Sequence, residues 1–139
     1  MKKIRSLVVV LVVAVLCGMF STAVAASDDS VQPRYSDFAT IYAGVYETDS
    51  GFYSIEGGAT APNLHKWVEV KVTLEKYDSG KWSVVSNCTW TNEDYVSAHA
   101  GGLRDLLPGD YRAHTVAKVY RDGVLLETAE AYSSIMPVT

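Results

Sequence analysis

The sequence is poor in cysteine, and this scarcity excludes a fold held together by internal disulfides. Of the 2 cysteines in 139 residues, Cys17 lies in an apolar N-terminal segment that we expect to be removed, which leaves Cys88 without a partner. Small exported domains often depend on disulfides, so this one must be held by side-chain burial and strand pairing. Cys88 could join two copies, but we favour the interpretation that it is a small buried hydrophobe.

Runs of basic residues and helical periodicity are also missing. The chain carries 12 Lys+Arg against 16 Asp+Glu, a net charge of −4, and three of the basic residues fall within the first five positions. A net-negative domain lacks the positive surface that nucleic acid and anionic membranes attract. We therefore predict neither nucleic acid nor a membrane as a partner of the mature protein.

Motifs for catalysis, metals and cofactors are absent as well. The histidines His65, His99 and His114 do not have the spacing of a zinc site. No serine or cysteine lies in a nucleophile motif. Acidic residues gather at predicted turns, where calcium could bind, but we favour ordinary solvated turns. We assign no catalytic residue, metal site or cofactor, and we predict that the protein is not an enzyme.

What the sequence does contain begins with an export signal. A basic start is followed by an unbroken apolar run, Leu7–Leu16, and then by the small residues Ala23-Val24-Ala25. This order is typical of a secretory signal peptide, and the run is shorter than the roughly 20 residues of a membrane span. We predict a signal-peptide helix over residues 1–26, cleavage near Ala25-Ala26 and a secreted, extracellular protein.

Alternation of apolar and polar residues, the period of a strand, dominates the rest of the chain. In Trp67–Lys76 the apolar positions all fall on one face: Val68, Val70, Val72 and Leu74. Similar segments recur between turn signals, and about seven strands can be counted. We predict a flexible N-terminus at 27–33 and, at 34–139, one all-β domain that is an immunoglobulin-like antiparallel β-sandwich. A small barrel is the alternative.

Two glycine-containing turns predict how strands pair. Tyr77–Lys81 fits a three-residue hairpin with Gly80 in the left-handed conformation, a register that places Cys88 opposite Val70 on the inner face. Arg121–Gly123, with Gly123 in the turn, predicts a second hairpin. The register of this last hairpin stays open, because adjacent leucines follow the turn, and either of two glutamates could face inward: Glu127 or Glu130.

A third structural motif lies at the entrance to a strand. Gly109 precedes Tyr111 by two residues, which resembles the tyrosine corner of immunoglobulin-like sandwiches, where the phenol bonds back to nearby backbone. The version with a disulfide is excluded, because Ala113 stands where antibody domains have cysteine.

The mature chain resembles a family of small secreted β-sandwich proteins of Gram-positive bacteria. The matching segments extend over nearly all of it: Gln32–Ser36, Val70–Trp82, Gly109–Arg112, Val119–Thr128 and Ser133-Ser134. The acidic stretch Trp90–Tyr95 departs from the Ser/Gly-rich loops of that group. Since the family has no established function, the resemblance implies a fold and a location but no activity.

Aromatic residues are the strongest candidates for function. The chain has 9 tyrosines and 3 tryptophans, and Trp67 lies on the predicted wet face of its strand. Exposed aromatics can stack on sugars or anchor a protein partner, whereas cross-strand packing is the alternative role. We predict Trp67, Tyr120 and Tyr132 as ligand-binding residues; Tyr42 and Tyr46 could join the same face.

Three functions stay open at this stage. We favour a secreted, non-enzymatic binding module for an extracellular glycan or protein. The alternative is a structural or self-associating surface protein, with copies joined through an edge strand or Cys88; the expected state is a monomer or weak self-association. A hydrolase is the least favoured, because it needs paired carboxylates or a histidine-containing constellation that spacing alone does not reveal.

Overall fold

The structure, a computed structural model, describes residues 35–139. The predicted signal peptide at 1–26 and the predicted flexible segment at 27–33 lie outside the described residues. Within 35–139 the chain forms strands without helices, so this part contains no helix that could cross a membrane. The all-β prediction is confirmed for this part of the chain.

The strands form two antiparallel sheets. Their bounds are β1 Thr40–Glu47, β2 Tyr53–Thr60, β3 Trp67–Asp78, β4 Lys81–Tyr95, β5 Ser97–Arg104, β6 Gly109–Arg121, β7 Val124–Tyr132 and β8 Met136–Val138. The smaller sheet has the order β1-β2-β5, and the larger has the order β4-β3-β6-β7, with β8 also paired to β6. The short strand β8 is the addition to the predicted seven.

The inner faces of the two sheets share one core, as in a sandwich. The four predicted inward residues of β3 are 0–2% exposed: Val68, Val70, Val72 and Leu74. Burial of such a side chain contributes about 1.5–3 kcal/mol, so this strand anchors the fold. The sheets approach closely at Gly57, where an added Cβ would clash with Thr115 Oγ1 and lie 2.7 Å from Val72 Cγ2.

The hairpin between β3 and β4 is tighter than predicted. Asp78 pairs with Lys81, so Ser79 and Gly80 form a two-residue turn, and the predicted pairing of Tyr77 with Lys81 is wrong. Both turn residues have positive φ, 52° and 85°. This combination is that of a type I′ turn, whose twist matches the strands.

A bulge then corrects the register of β4. Thr73 pairs with Thr89, whereas Glu75 pairs with Val84, so the four residues 85–88 lie opposite Leu74 alone. The two-residue turn shifts the pairing by one residue from the prediction, which reverses the side chains of β4 that face inward. The bulge adds three residues to β4 and so restores the predicted inward and outward positions from Cys88 onward. Cys88 is therefore buried, 3% exposed, although the predicted partner Val70 pairs with Asn92 instead.

The last hairpin also contains a bulge, and it decides the open register. Arg121 pairs with Val124 across the turn, Tyr120 pairs with Leu125, and Val119 pairs with Glu127. Leu126 is therefore the extra residue, which accounts for the two adjacent leucines. Because Val119 points into the core, its partner Glu127 is the glutamate on the inner side.

Glu127 belongs to a polar cluster at the edge of the core. Its carboxylate accepts a hydrogen bond from the backbone N–H of Asp37 at 2.8 Å. Asp37 in turn pairs with Lys66 at 2.6 Å, and Lys66 is only 4% exposed. A buried ammonium requires such a partner, because an unpaired buried charge is costly.

Tyr111 closes the end of the larger sheet in the manner of a tyrosine corner. Its hydroxyl donates a hydrogen bond to the Leu107 carbonyl at 2.8 Å, and its side chain is 3% exposed. Gly109 has a φ of 149°, and an added Cβ would lie 2.5 Å from Lys76 Cε. The glycine therefore makes room for the lysine that lies over the Tyr111 ring.

A single residue, Val96, carries the chain from the larger sheet into the smaller. Its φ of 68° is a left-handed conformation, which is costly for a β-branched residue. The conformation is held from both sides: Val96 N–H donates to the Lys66 carbonyl at 2.9 Å, and the Val96 carbonyl accepts from Ala61 N–H at 2.7 Å.

Thr115 gives a prediction about stability. It is 0% exposed, and among the described residues its hydroxyl has no hydrogen-bond partner. An unsatisfied buried polar atom costs about 1–3 kcal/mol, so Thr115→Val should raise the free energy of unfolding by about 1 kcal/mol in urea denaturation. Thr73→Val is the control, because Thr73 donates to the His114 carbonyl, and it should lower stability. A loss of stability in Thr115→Val would contradict this account.

The pair formed by Asp37 and Lys66 predicts an acid-sensitive component of stability. The hydrogen bond from Lys66 holds the pKa of Asp37 below its ordinary value of 3.8. The stabilisation is therefore complete above that value and is lost as pH falls through the lowered folded pKa. Asp37→Asn should unfold more easily than the parent near neutral pH, and the gap should close in strong acid. A gap that is independent of pH in urea titrations would refute the linkage.

Candidate functional site

An aromatic row crosses one end of the outer face of the larger sheet. Trp67 on β3 lies directly opposite Tyr95 on β4 and Tyr120 on β6, so the three side chains stand side by side. The rings of Trp67 and Tyr95 meet edge to face, with centroids 4.8 Å apart and an interplanar angle of 87°. Tyr95 is 65% exposed, so the row is open to solvent.

Two carboxylates hold the aromatic row in position. Trp67 Nε1–H donates to Glu93 at 3.3 Å, and the Tyr120 hydroxyl donates to Glu69 at 3.0 Å. Partial burial, followed by this hydrogen bond and the charge of Glu69, raises the pKa of Tyr120. The phenol therefore stays protonated and keeps its donor role. The arrangement offers ring faces for stacking next to hydrogen-bond acceptors.

Two neighbouring depressions lie on this face. The first, of about 450 Å³, is bordered by the aromatic row and by residues of the adjoining turns: His65, Trp67, Glu69, Tyr95, Tyr120, Asp122 and Gly123. The second, of about 480 Å³, continues along the sheet and shares Glu69 with the first, and it is lined also by Lys71, Thr91 and Lys118. Together they form a path along the middle of the sheet.

Tyr132 lies on the same face but at its other end. Its cross-strand partner is His114, six residues before Tyr120 on β6, which corresponds to about 20 Å along the strand. The Tyr132 ring stacks on His114 at 4.3 Å, and the Arg112 guanidinium lies 4.3 Å from its centroid. Partial burial raises the pKa of Tyr132. Trp67 and Tyr120 are thus brought together, whereas Tyr132 is separate and engaged by its own chain.

The remaining predicted aromatics lie on the other sheet. Tyr42 and Tyr46 are on β1, where Tyr42 OH is 3.1 Å from His99 Nδ1, and Ser97 Oγ is 3.1 Å from His99 Nε2. Partial burial raises the pKa of Tyr42. Ser97 lies within a paired strand and its hydroxyl also contacts Thr60, so the chain of hydrogen bonds resembles cross-strand packing more than a nucleophile at a turn.

The other sequence candidates are dispersed. His65 borders the aromatic row, His99 lies on the smaller sheet, and His114 lies between Glu75 and Glu130, with nitrogen–oxygen distances of 3.4 and 3.0 Å. Within residues 35–139 no group of three or more His, Cys, Asp or Glu side chains is placed to hold a metal ion. Cys88 is a free, buried thiol, so a disulfide between copies would require the fold to open.

The sequence analysis missed Tyr95, Glu69 and Glu93 as members of the site. Tyr95 is the last residue of β4, and its pairing with Trp67 depends on the register of that strand, which the sequence does not reveal. The sequence signal that could have identified them is alternation, because every second residue of β4 from Thr89 to Tyr95 faces outward. Their alignment with β3, however, depends on the bulge.

No protein-family model matches the chain, and no curated protein matches it. The resemblance to secreted Gram-positive proteins therefore stays a prediction. The function has to be inferred from the side chains themselves.

Arg112, at the Tyr132 end of the face, yields a prediction about stability. It forms an ion pair with Glu75 at 2.7 Å and lies 4.3 Å from the ring centroids of both Trp82 and Tyr132. Arg112→Lys keeps the charge but loses the planar stacking, so we expect it to lower the free energy of unfolding by about 1 kcal/mol. Thermal unfolding checks this expectation. An unchanged unfolding temperature would show that the stacking adds no stability.

Proposed function

We propose that the protein is a secreted, non-enzymatic binding domain with an immunoglobulin-like sandwich, and that it binds an extracellular glycan on the outer face of its larger sheet. The observation that carries the proposal is the row of Tyr95, Trp67 and Tyr120, together with the acceptors Glu69 and Glu93. Ligand sites typically combine aromatic surface with a few placed polar groups, and this row has both.

The shape of the face favours a sugar chain over a compact ligand. The two depressions share Glu69 and run from the aromatic row along the sheet as far as Lys71 and Val116. Lys71, Thr91 and Lys118 line this path and offer donors and acceptors for hydroxyl groups. An extended polymer can use all of these groups, whereas a small molecule would use one end.

The sandwich assignment rests on two observations. The sheets face each other across one core, and Tyr111 bonds to the Leu107 carbonyl as in a tyrosine corner. Export rests on the basic, apolar and small-residue order of residues 1–26. A secreted domain with exposed aromatics fits recognition outside the cell.

Self-association is the alternative that β4 could support. This strand is 15 residues long and lies at the edge of the larger sheet, where its unpaired backbone could add a second copy. Its bulge and its charged side chains, Lys81, Glu93 and Asp94, are devices that oppose such pairing. We therefore prefer ligand binding.

Glycoside hydrolysis has one observation in its favour. Glu69 and Glu93 lie directly opposite each other across two strands and border the aromatic row, as a pair of carboxylates in a glycosidase would. They lie, however, on an open sheet face that does not exclude water, and both accept hydrogen bonds from aromatic side chains. Binding is the function that this geometry supports better.

The test is binding to a glycan and peptidoglycan panel by the protein purified from cells that express the full chain. Trp67→Ala should weaken binding about tenfold or more, because a central aromatic contact contributes about 2 kcal/mol or more. Tyr46→Ala is the matched control: Tyr46 is 52% exposed but lies on the other sheet, so this variant should bind normally.

Other results would redirect the proposal. Loss of binding in Tyr46→Ala with retention in Trp67→Ala would place the site on the smaller sheet. Absence of binding to every glycan would overturn the proposed ligand class. Shortening of a bound oligosaccharide, abolished by Glu93→Gln, would show a hydrolase instead.

A further inference from the structure

The depression at the aromatic row, the aromatic cage, is bordered by three aromatic side chains: Trp67, Tyr95 and Tyr120. The rings of Trp67 and Tyr95 are nearly perpendicular, so they form two walls of a corner, and Tyr120 stands beside Trp67 as a third aromatic. The face of an aromatic ring carries negative electrostatic potential, and several rings around one point attract a cation. A neutral sugar needs only one ring to stack on, so the corner offers more than neutral stacking requires.

The charges around the cage point to the same kind of ligand. Glu69 and Asp122 border it, and Glu93 bonds to the Trp67 indole. Like charges directly opposite each other on paired strands destabilise a sheet, and Glu69 and Glu93 are such a pair. Within residues 35–139, neither of these two carboxylates lies within 4.0 Å of a lysine or arginine nitrogen.

Lys118 is a basic residue whose charge partly offsets the negative charge of these carboxylates. It lies across from Glu69 on β6 and lines the second depression, together with Lys71. His65 borders the cage itself. Three carboxylates, of Glu69, Glu93 and Asp122, thus lie near the aromatic rings against one neighbouring lysine, Lys118, and Lys71 lies further along the sheet.

We propose that the aromatic cage of Trp67, Tyr95 and Tyr120, with Glu69 and Glu93, binds an ammonium group carried by the ligand. This inference rests on the proposed glycan-binding function and specifies the class of glycan. The ammonium could be the free amine of an amino sugar or a quaternary ammonium substituent on the chain. Both have the same chemistry: a positive charge that enters between ring faces and is balanced by carboxylates.

The first test compares two pairs of ligands that differ in charge, and the members of the first pair have the same shape. Choline should bind, and dimethylbutanol, its uncharged carbon isostere, should bind at least about tenfold more weakly, since cation–π attraction and carboxylate pairing together exceed 1.4 kcal/mol. A deacetylated chitin oligosaccharide, in mildly acidic buffer, should bind more tightly than the acetylated one. Isothermal titration with the purified protein measures both pairs, and binding of the cationic members should weaken with salt.

The second test uses two variants that should change the affinity for a cation in opposite directions. Glu93→Gln should weaken cation binding severalfold, whereas Lys118→Gln, which removes a repulsive charge, should strengthen it. Because Glu93→Gln also removes the repulsion from Glu69, it should leave the protein as stable as the parent or more stable. Weaker binding together with retained stability is the signature of a ligand-binding carboxylate, and a merely structural role would lower stability.

The outcomes separate this inference from the proposed function. If acetylated and deacetylated oligosaccharides bind equally well and Trp67→Ala weakens both, the ammonium-binding inference is overturned and the proposed glycan-binding function is retained. Binding of choline but of no glycan would keep the cage and overturn the glycan. Preference for choline over the deacetylated chain would identify the quaternary substituent as the source. Failure of every probe would overturn both proposals.

Discussion

The strict alternation of β3 is the constraint on which both the core and the aromatic face depend. The strand is paired on both sides, by β4 and β6, so it cannot rotate to favour one set of side chains. A slip of one residue would expose Val70 and bury Glu69, because the side-chain period is two. The free energy of burying the valines therefore also fixes the position of Trp67. The buried valines on the inner face of β3 thus hold the outer side chains of the site in place.

Much of the fold can be predicted from the sequence because short sequence patterns indicate its strands and turns. Alternation in β3 identifies the inner face, and glycines at 80 and 123 identify the turns. The bulge of β4 has no such signal: residues 85–88 contain neither glycine nor proline, and Asn87 takes the positive φ that asparagine tolerates. The bulge adds an odd number of residues, so the outward positions are even-numbered before it, as at Val84, and odd-numbered after it, as at Thr89. Alternation within β4 alone does not show where this change occurs.

The site was predictable only in part for the same reason. The outward direction of Trp67 follows from its own strand, but its partners on β4 follow from pairing, which is a property of two segments and a bulge. The case of Tyr132 shows a second limit. It lies on the face that was predicted, yet its ring is occupied by His114 and Arg112, and no pattern within β7 reveals such neighbours.

The burial of Cys88 has a consequence for the proposed export of the chain. An exported thiol meets oxidants, and a free cysteine on the surface would cross-link copies over time. The Cys88 thiol is buried once β4 has packed over the core, so an exported chain would be open to oxidation only until β4 has paired with β3. In the folded protein, the rate at which the thiol reacts with a labelling reagent then measures how often that strand opens.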